Sequence, residues 1–294
     1  MGGAMDIIIQ AAIDGLLMGG VYAAIGLGLS LAYGVMGVVN WAHGETLMVS
    51  MFIAYYLTRF AGFDPYVTIL INVLVLGGFG FVLQKFIFNK LINRGGKPWL
   101  NILLVTAGLS LTLQALANMA FGAEVKSVNT AYRGMLRAGE IFISRPKLIA
   151  FVVVILVTVA LYVLIQRSET GRAIRATSQD RSTSQLMGVN SDRVFCVSFA
   201  ISTALVALSG SLLIPFYSVH PYVGTAFTFK SFVIVALGGK GDIPGAVAAG
   251  LLIGVIETVG GSLFNNNIAQ IFIFALFIII LLVRPQGLLT RRKG

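Results

Sequence analysis

Long stretches without a charged side chain constrain this chain more than any other feature. From Leu148 to Ile165, 18 consecutive residues carry no charge, and Tyr66–Gln84 and Trp99–Phe121 are similar. About 20 apolar residues at helical rise match the hydrocarbon thickness of a bilayer. These runs show no strict alternation, and lipid offers no partner to an open strand edge, so they read as helices. Charged residues make up 11% of the chain, against about 25% in an ordinary soluble domain. Most of the surface must therefore face lipid.

The net charge of +10 does not indicate nucleic acid, because the basic residues sit in short loops between apolar runs, where membrane orientation places them. The single cysteine, Cys196, lies in an apolar run. It offers neither a disulfide framework nor a thiolate metal site and reads as a small buried hydrophobe. The N-terminus lacks a basic region before its first apolar stretch and does not read as a cleavable signal peptide.

Hydropathy places spans at 7–29, 46–60, 66–84, 99–121, 148–166, 194–218, 228–238, 245–261 and 268–283. The expected fold is an all-α polytopic transmembrane helical bundle of 8–10 spans, nine by this count, forming a single permease domain over 1–294. Three basic clusters then fall on one side: Lys85, Lys90, Arg94 and Lys97; Arg167, Arg172, Arg175, Arg181 and Arg193; Arg284, Arg291, Arg292 and Lys293. That side is the expected cytoplasmic one, with the N-terminus outside and the C-terminus cytoplasmic. Residues 122–147 violate the rule. They are expected outside, yet carry Lys126, Arg133, Arg137, Arg145 and Lys147 against Glu124 and Glu140.

Two stretches are expected to be irregular, Tyr33–Glu45 and Leu237–Ala246. The seventh span is short, and its 11 residues rise only about 16 Å. Irregular backbone at membrane depth persists where protein or a water-filled cavity satisfies it. Each stretch is either an interfacial loop or part of a transport pathway. If they are pathway segments, Asn40–Glu45 and Gly238–Gly245 are expected to meet. Small residues recur four apart at Gly15/Gly19, Ala24/Gly28, Gly245/Ala249 and Gly250/Gly254, a spacing that lets membrane helices approach closely.

No hydrolytic or phosphate-binding constellation is visible. Gly238-Gly239-Lys240-Gly241 fails as a phosphate loop, because Ile234 stands where its first glycine belongs and Gly241 where a Ser or Thr belongs. His43 and His220 have no carboxylate or cysteine at a ligand spacing. Ionisable residues within spans are costly and require partners; Asp14, Glu45, Lys230 and Glu257 are these. Lys230 and Glu257 lie near the outer ends of spans that run in opposite directions, which places them at one depth. The pair is either a bridge fixing two helices or a contact for substrate or ion. His43 and Glu45 are expected to orient the first irregular stretch by bonding its backbone.

The segment 169–190, within a cytoplasmic loop at about 167–193, carries helix punctuation. Asp180 can cap a helix start and Gly188 can take the left-handed conformation past its end. Between them lies an exposed amphipathic helix of two turns, with Leu186 and Met187 as apolar anchors. A solvated linker would need neither cap.

GRAIRATSQD followed by LMGVN resembles the coupling loop of ABC importer permeases of the branched-chain amino acid type. YGVMGVVNWAHGE and KSFVIVALGGKGDIPGAVAAGLLIGVIET are similar to that family's N-terminal and C-terminal signatures. The matches run in order along nearly the whole chain and are closer to the H-type permease of the Liv system than to its longer M-type partner. The resemblance implies that Gly171, Arg172, Arg175, Ala176, Asp180 and Gly188 belong to the loop contacting the ATPases. It implies pathway or gating roles for Asn40, His43, Glu45, Gly238, Gly239, Gly241 and Pro244, and includes Lys230 and Glu257 in the C-terminal signature. Ser182–Gln185 departs from the alanine-rich stretch usual in the coupling helix, and Lys240 stands where a small or apolar residue is common.

The family implies a bacterial cytoplasmic (inner) membrane location and a second homologous permease in a heterodimer. It also implies two cytoplasmic ATP-binding subunits carrying ATP and Mg, and an external solute-binding protein. No cofactor is expected in this chain, and it is expected to be a transporter subunit rather than an enzyme. Branched-chain or related amino acids are the expected cargo. Family relatives for urea, amides or aromatic acids remain open, as does a passive channel or ion-coupled carrier, though neither of the latter needs a docking helix.

Overall fold

The computed structural model describes residues 2–94, 97–128, 134–139, 141–283 and 287. Arg133, Glu140 and the C-terminal cluster Arg284, Arg291, Arg292 and Lys293 lie outside the described residues. The elements are α1 (Gly2–Met36), α2 (His43–Phe60), α3 (Thr68–Leu83), α4 (Asn89–Asn93), α5 (Pro98–Phe121), β1 (Met135–Ala138), β2 (Ile141–Ser144), α6 (Arg145–Arg167), α7 (Glu169–Gln179), α8 (Arg181–Leu186), α9 (Ser191–Leu213), α10 (Val223–Gly238), α11 (Ile243–Leu263) and α12 (Asn266–Val283). A π-helical turn, Gln84–Phe88, joins α3 to α4.

Among the described residues, seven helical segments are long and apolar enough to cross a membrane: α1, α3 continued into α4, α5, α6, α9, α11 and α12. Each of the nine expected spans has its helix, but α10 is a shorter apolar helix and α2 carries Glu45 and Arg59. The protein is an all-α multi-pass membrane protein; among the described residues the strands form one antiparallel hairpin, in which Met135 pairs with Ser144 and Ala138 with Ile141.

The central helix is α1. It is apolar on every side, and a helix of that kind must be surrounded by others. From Val21 to Ile25 its residues are no more than 3% exposed. Its glycines set the closest crossing. A Cβ on Gly15 would stand 2.6 Å from the Gly254 carbonyl oxygen, one on Gly19 2.8 Å from Leu251 Cα, and one on Gly250 2.5 Å from Ala23 Cα. Small residues four apart thus bring the α1 and α11 backbones together. Gly28 admits α9, where its Cβ would meet the Ser202 carbonyl oxygen at 2.8 Å.

The irregular stretches are shorter than expected. Only 37–42 and 239–242 are non-helical; His43, Gly44 and Glu45 begin α2, and Leu237 and Gly238 end α10. α10 starts at Val223, five residues before the expected span, so its 16 residues rise about 24 Å. Lys230 therefore lies in the middle of this helix rather than near its end. The segment after α6 holds two helices rather than one, because Ser168 caps α7 by accepting from the Gly171 amide.

The hairpin sits at the bundle end that holds the start of α1. Gln10 exchanges two hydrogen bonds with the Phe142 backbone, at 2.6 and 2.8 Å. Opposite ends of α6 carry the hairpin and α7. Three of the five basic residues that violate the orientation rule have partners among the described residues. Lys126 donates to the Tyr56 hydroxyl at 3.0 Å and lies over the Tyr55 and Tyr56 rings. Lys147 pairs with Asp14 at 3.2 Å, and Arg137 covers the Phe142 ring.

Candidate functional site

The start of α2 lies deep in the bundle. After Met36 the chain turns back along α1, so that His43 Nε2 meets the Ile25 carbonyl at 2.9 Å. Ile25 is eleven residues before the end of α1, about 16 Å along its axis. The Asn40 side chain folds this return by accepting from the Ala42 amide at 3.0 Å. Trp41 donates its amide to Thr106 Oγ1 of α5 at 3.0 Å, and its ring packs on Phe229 and Phe232 of α10. The Gly44 amide donates to Thr228 Oγ1 at 2.9 Å. His43 thus bonds backbone, but that of α1 rather than that of the irregular stretch.

Glu45 does not. It is 1% exposed, and its Oε1 accepts from Gln114 Nε2 of α5 at 2.7 Å. Gln114 also donates to Thr225 Oγ1 of α10 at 3.0 Å. Glu45 Oε2 is buried without a hydrogen-bond partner. One polar cluster therefore ties α2, α5 and α10 together at depth.

The second stretch packs on the last turns of α1. Ser30 Oγ donates to the Gly239 carbonyl at 3.1 Å and accepts from the Gly241 amide at 3.0 Å. Gly239 and Gly241 take φ of +95° and +74°, values that disfavour any side chain. Pro244 occupies the first turn of α11, where it sacrifices no helical hydrogen bond. Lys240 lies over the Tyr33 ring at 4.8 Å. The two stretches meet where Tyr33 and Gly34 face Lys240 and Gly241, but Gly44 packs elsewhere on α10. Thr228, which bonds Gly44, and Gly238 are ten residues apart on α10, about 15 Å.

Lys230 and Glu257 do meet. Lys230 Nζ donates to Glu257 Oε1 at 2.7 Å and to the Tyr22 hydroxyl at 2.9 Å, and it stands 4.4 Å over the Tyr22 ring.

At the opposite end from the hairpin, Asp180 caps α8 by accepting from the Ser182 and Thr183 amides. Hydrogen bonds from Thr183 and then Ser182 draw its carboxyl down to about 2. Gly188 takes φ +84° as the chain turns into α9. Leu186 and Met187 are 87% and 81% exposed. Arg181 seats α8 on the bundle, bonding Asn93 at 2.8 Å and pairing with Asp192 at 3.7 Å. Gly171 is packed on the Ile165 backbone, where the Arg175 guanidinium caps α6 through the Ile165 carbonyl. Ala176 accepts from the Asp180 amide at 3.2 Å, and Arg172 is exposed with Glu169 at 3.3 Å. Gly171, Arg175, Asp180 and Gly188 thus shape the loop, while Arg172, Leu186 and Met187 present its surface.

A family model of the branched-chain amino acid transport system permease component matches residues 11–281. BraD of Pseudomonas aeruginosa, a high-affinity branched-chain amino acid transport system permease protein, is 33% identical, the match covering 96% of each chain. LivH of Escherichia coli, of the same description, is 30% identical with the same coverage. LivM of Escherichia coli is 24% identical over 93% of this chain and 68% of its own length. No solved structure matches.

Proposed function

The chain belongs to the family of branched-chain amino acid transport system permease components, and from that membership we propose that it is the membrane subunit of an ATP-driven importer for branched-chain or related amino acids. In this reading an external binding protein delivers the cargo and a second, homologous permease completes the pathway. Two cytoplasmic subunits bind ATP and Mg, and this chain holds no cofactor. The observation that carries the reading is α8. A two-turn helix capped at both ends, exposing Leu186 and Met187 almost fully, suits a covering partner and not water. Gly171, Arg172, Arg175, Ala176, Asp180 and Gly188 then form or support the ATPase-facing surface. Asn40, His43, Glu45, Gly238, Gly239, Gly241 and Pro244 hold the backbone beside the pathway.

The test is uptake in proteoliposomes containing this chain, its companion permease and ATPases, with the binding protein outside. Leucine uptake that requires ATP is expected. Uptake without ATP, or uptake of urea or acetamide with none of leucine, overturns the reading. Gly188→Val is expected to weaken copurification of the ATPases and lower uptake, because φ +84° strains a β-branched residue by about 1–3 kcal/mol. Undiminished copurification and uptake would contradict that role.

The proposed orientation, in the bacterial inner membrane, has the N-terminus outside and the C-terminus cytoplasmic. A membrane-impermeant thiol reagent is expected to label Lys126→Cys from outside, and Arg94→Cys and Arg175→Cys only from inside. Labelling of position 126 only from the cytoplasm would reverse the orientation.

A further inference from the structure

The span that runs from α3 through the π turn into α4 ends in a row of cations. Residues four apart share a face of an α-helix, and residues five apart do so across a π turn, where hydrogen bonds link i to i+5. The Asn89 amide donates to the Gln84 carbonyl across this turn. Lys85 and Lys90 are thereby brought one above the other, and Arg94 follows four residues on. All three are exposed. The buried side of the turn is fixed by Gln84 Nε2, which donates to Asn89 Oδ1 at 2.9 Å, and by Asn89 Nδ2, which donates to the Asp192 carbonyl at 3.2 Å.

Among the described residues, no carboxylate pairs with Lys85, Lys90, Arg94 or Lys97. The α7–α8 segment differs. There Arg172 pairs with Glu169, Arg175 caps α6, and Arg181 bonds Asn93 and pairs with Asp192. Like charges stacked on one helix face repel, so the row calls for an anion from outside the chain. Lys85 lies 17 residues after Thr68, about 26 Å along the axis, against a hydrocarbon core of about 30 Å. It therefore stands near the edge of the core, and Lys90 and Arg94 reach headgroup depth. Trp99, at the start of α5, is exposed at the same end, and tryptophans favour that interface. On the face of Lys85, one, two and three turns back, lie Phe81, Gly78 and Leu74, all exposed. A Cβ on Gly78 would meet nothing within 4 Å, so the strip has a shallow notch that an acyl chain can enter. A soluble partner could reach Arg94 but not the apolar strip behind Lys85.

We propose that Lys85, Lys90 and Arg94, with the strip formed by Leu74, Gly78 and Phe81, bind a phospholipid with an anionic headgroup. The phosphate lies against the cations and an acyl chain runs along α3. In the proposed orientation this lipid belongs to the cytoplasmic leaflet, but its binding depends neither on that orientation nor on the importer reading. Asn93 of α4 bonds Arg181, so the lipid sits beside the seat of α8.

The test uses the full chain, purified in a neutral detergent. Phosphatidylglycerol or phosphatidylcholine with the same acyl chains is added, and the retained lipid is counted by native mass spectrometry. Phosphatidylglycerol is expected to be retained in preference. Lys90→Gln with Arg94→Gln is expected to lower its retention by about tenfold or more, since each cation near an anionic surface contributes about fivefold. Lys90→Arg with Arg94→Lys, which keeps both charges, is expected to keep the lipid. Arg167→Gln with Arg193→Gln removes the same charge from exposed positions outside the row and is expected to leave retention little changed. Excess glycerol phosphate, a headgroup without chains, is expected not to displace the lipid. Equal retention of the two lipids, or equal losses in the two glutamine pairs, would reduce the row to general surface charge and overturn the proposal. Displacement by glycerol phosphate would make it a plain phosphate site and overturn it as well. Unchanged lipid retention in Lys90→Gln with Arg94→Gln, together with weaker copurification of the ATPases, would make the row a protein contact instead.

Discussion

Gly44→Val is expected to abolish the folded protein. A Cβ at Gly44 would overlap the Gly224 carbonyl oxygen and Thr228 Oγ1. The first of these is backbone, so no side chain can swing away. Helix α10 would have to retreat from α2, breaking the Gly44–Thr228 hydrogen bond and the Gln114 bridge between Glu45 and Thr225. Overpacking of a close-packed core costs about 1–3 kcal/mol. A lost buried hydrogen bond adds roughly 1 kcal/mol, and the stranded carboxylate adds more. Gly78 on α3 has nothing within 4 Å of a Cβ, so Gly78→Ala is expected to be neutral or stabilising by up to about 1 kcal/mol. Thermal unfolding of detergent-solubilised protein followed by size exclusion distinguishes the two. A Gly44→Val protein as monodisperse and heat-stable as the parent would show that α2 and α10 do not cross as described.

The difference between Gly44 and Gly78 was not legible in the sequence. Both are glycines within helical stretches, and only the fold shows which one faces another backbone. Where the small residues recurred at four-residue spacing the signal was readable. Gly15, Gly19, Gly250 and Gly254 lie at one crossing, because spacing along a helix fixes a face. The caps of α8 were also readable, since Asp180 and Gly188 act on backbone within a few residues of themselves. Helix α7 was missed although Ser168 and Glu169 mark its start. Its polar surface resembles a linker unless the periodicity of Ile174 and its neighbours is weighed. Gln114, Thr225 and Thr228 gave no signal. Each is an uncharged polar residue, and its partner is 69 or more positions away in the chain. The irregular stretches are shorter than their glycines suggest. Gly44, Gly238 and Gly245 instead sit inside or at the edge of helices, where they permit contact. Gly239 and Gly241 are the ones that turn the chain.

Glu257→Leu is expected to destabilise the protein by about 3 kcal/mol or more, the scale for stranding one member of a buried ion pair or for placing a lone charge within a membrane. The Lys230 side chain is 13% exposed and that of Glu257 22%, so water does little to replace a lost partner. Lys230 would retain the Tyr22 hydroxyl and the ring beneath it. A neutral hydroxyl and a cation–π contact worth about 2 kcal/mol do not cancel a full charge. Removing both charges in Lys230→Met with Glu257→Met leaves two flexible apolar side chains beside Phe227 and Val233, with only the Tyr22 hydroxyl stranded, at roughly 1 kcal/mol. The double variant is therefore expected to unfold at a temperature well above that of Glu257→Leu and close to that of the parent. A single variant as stable as the parent, or a double variant no better than the single, would remove the pair from the energetics of the fold.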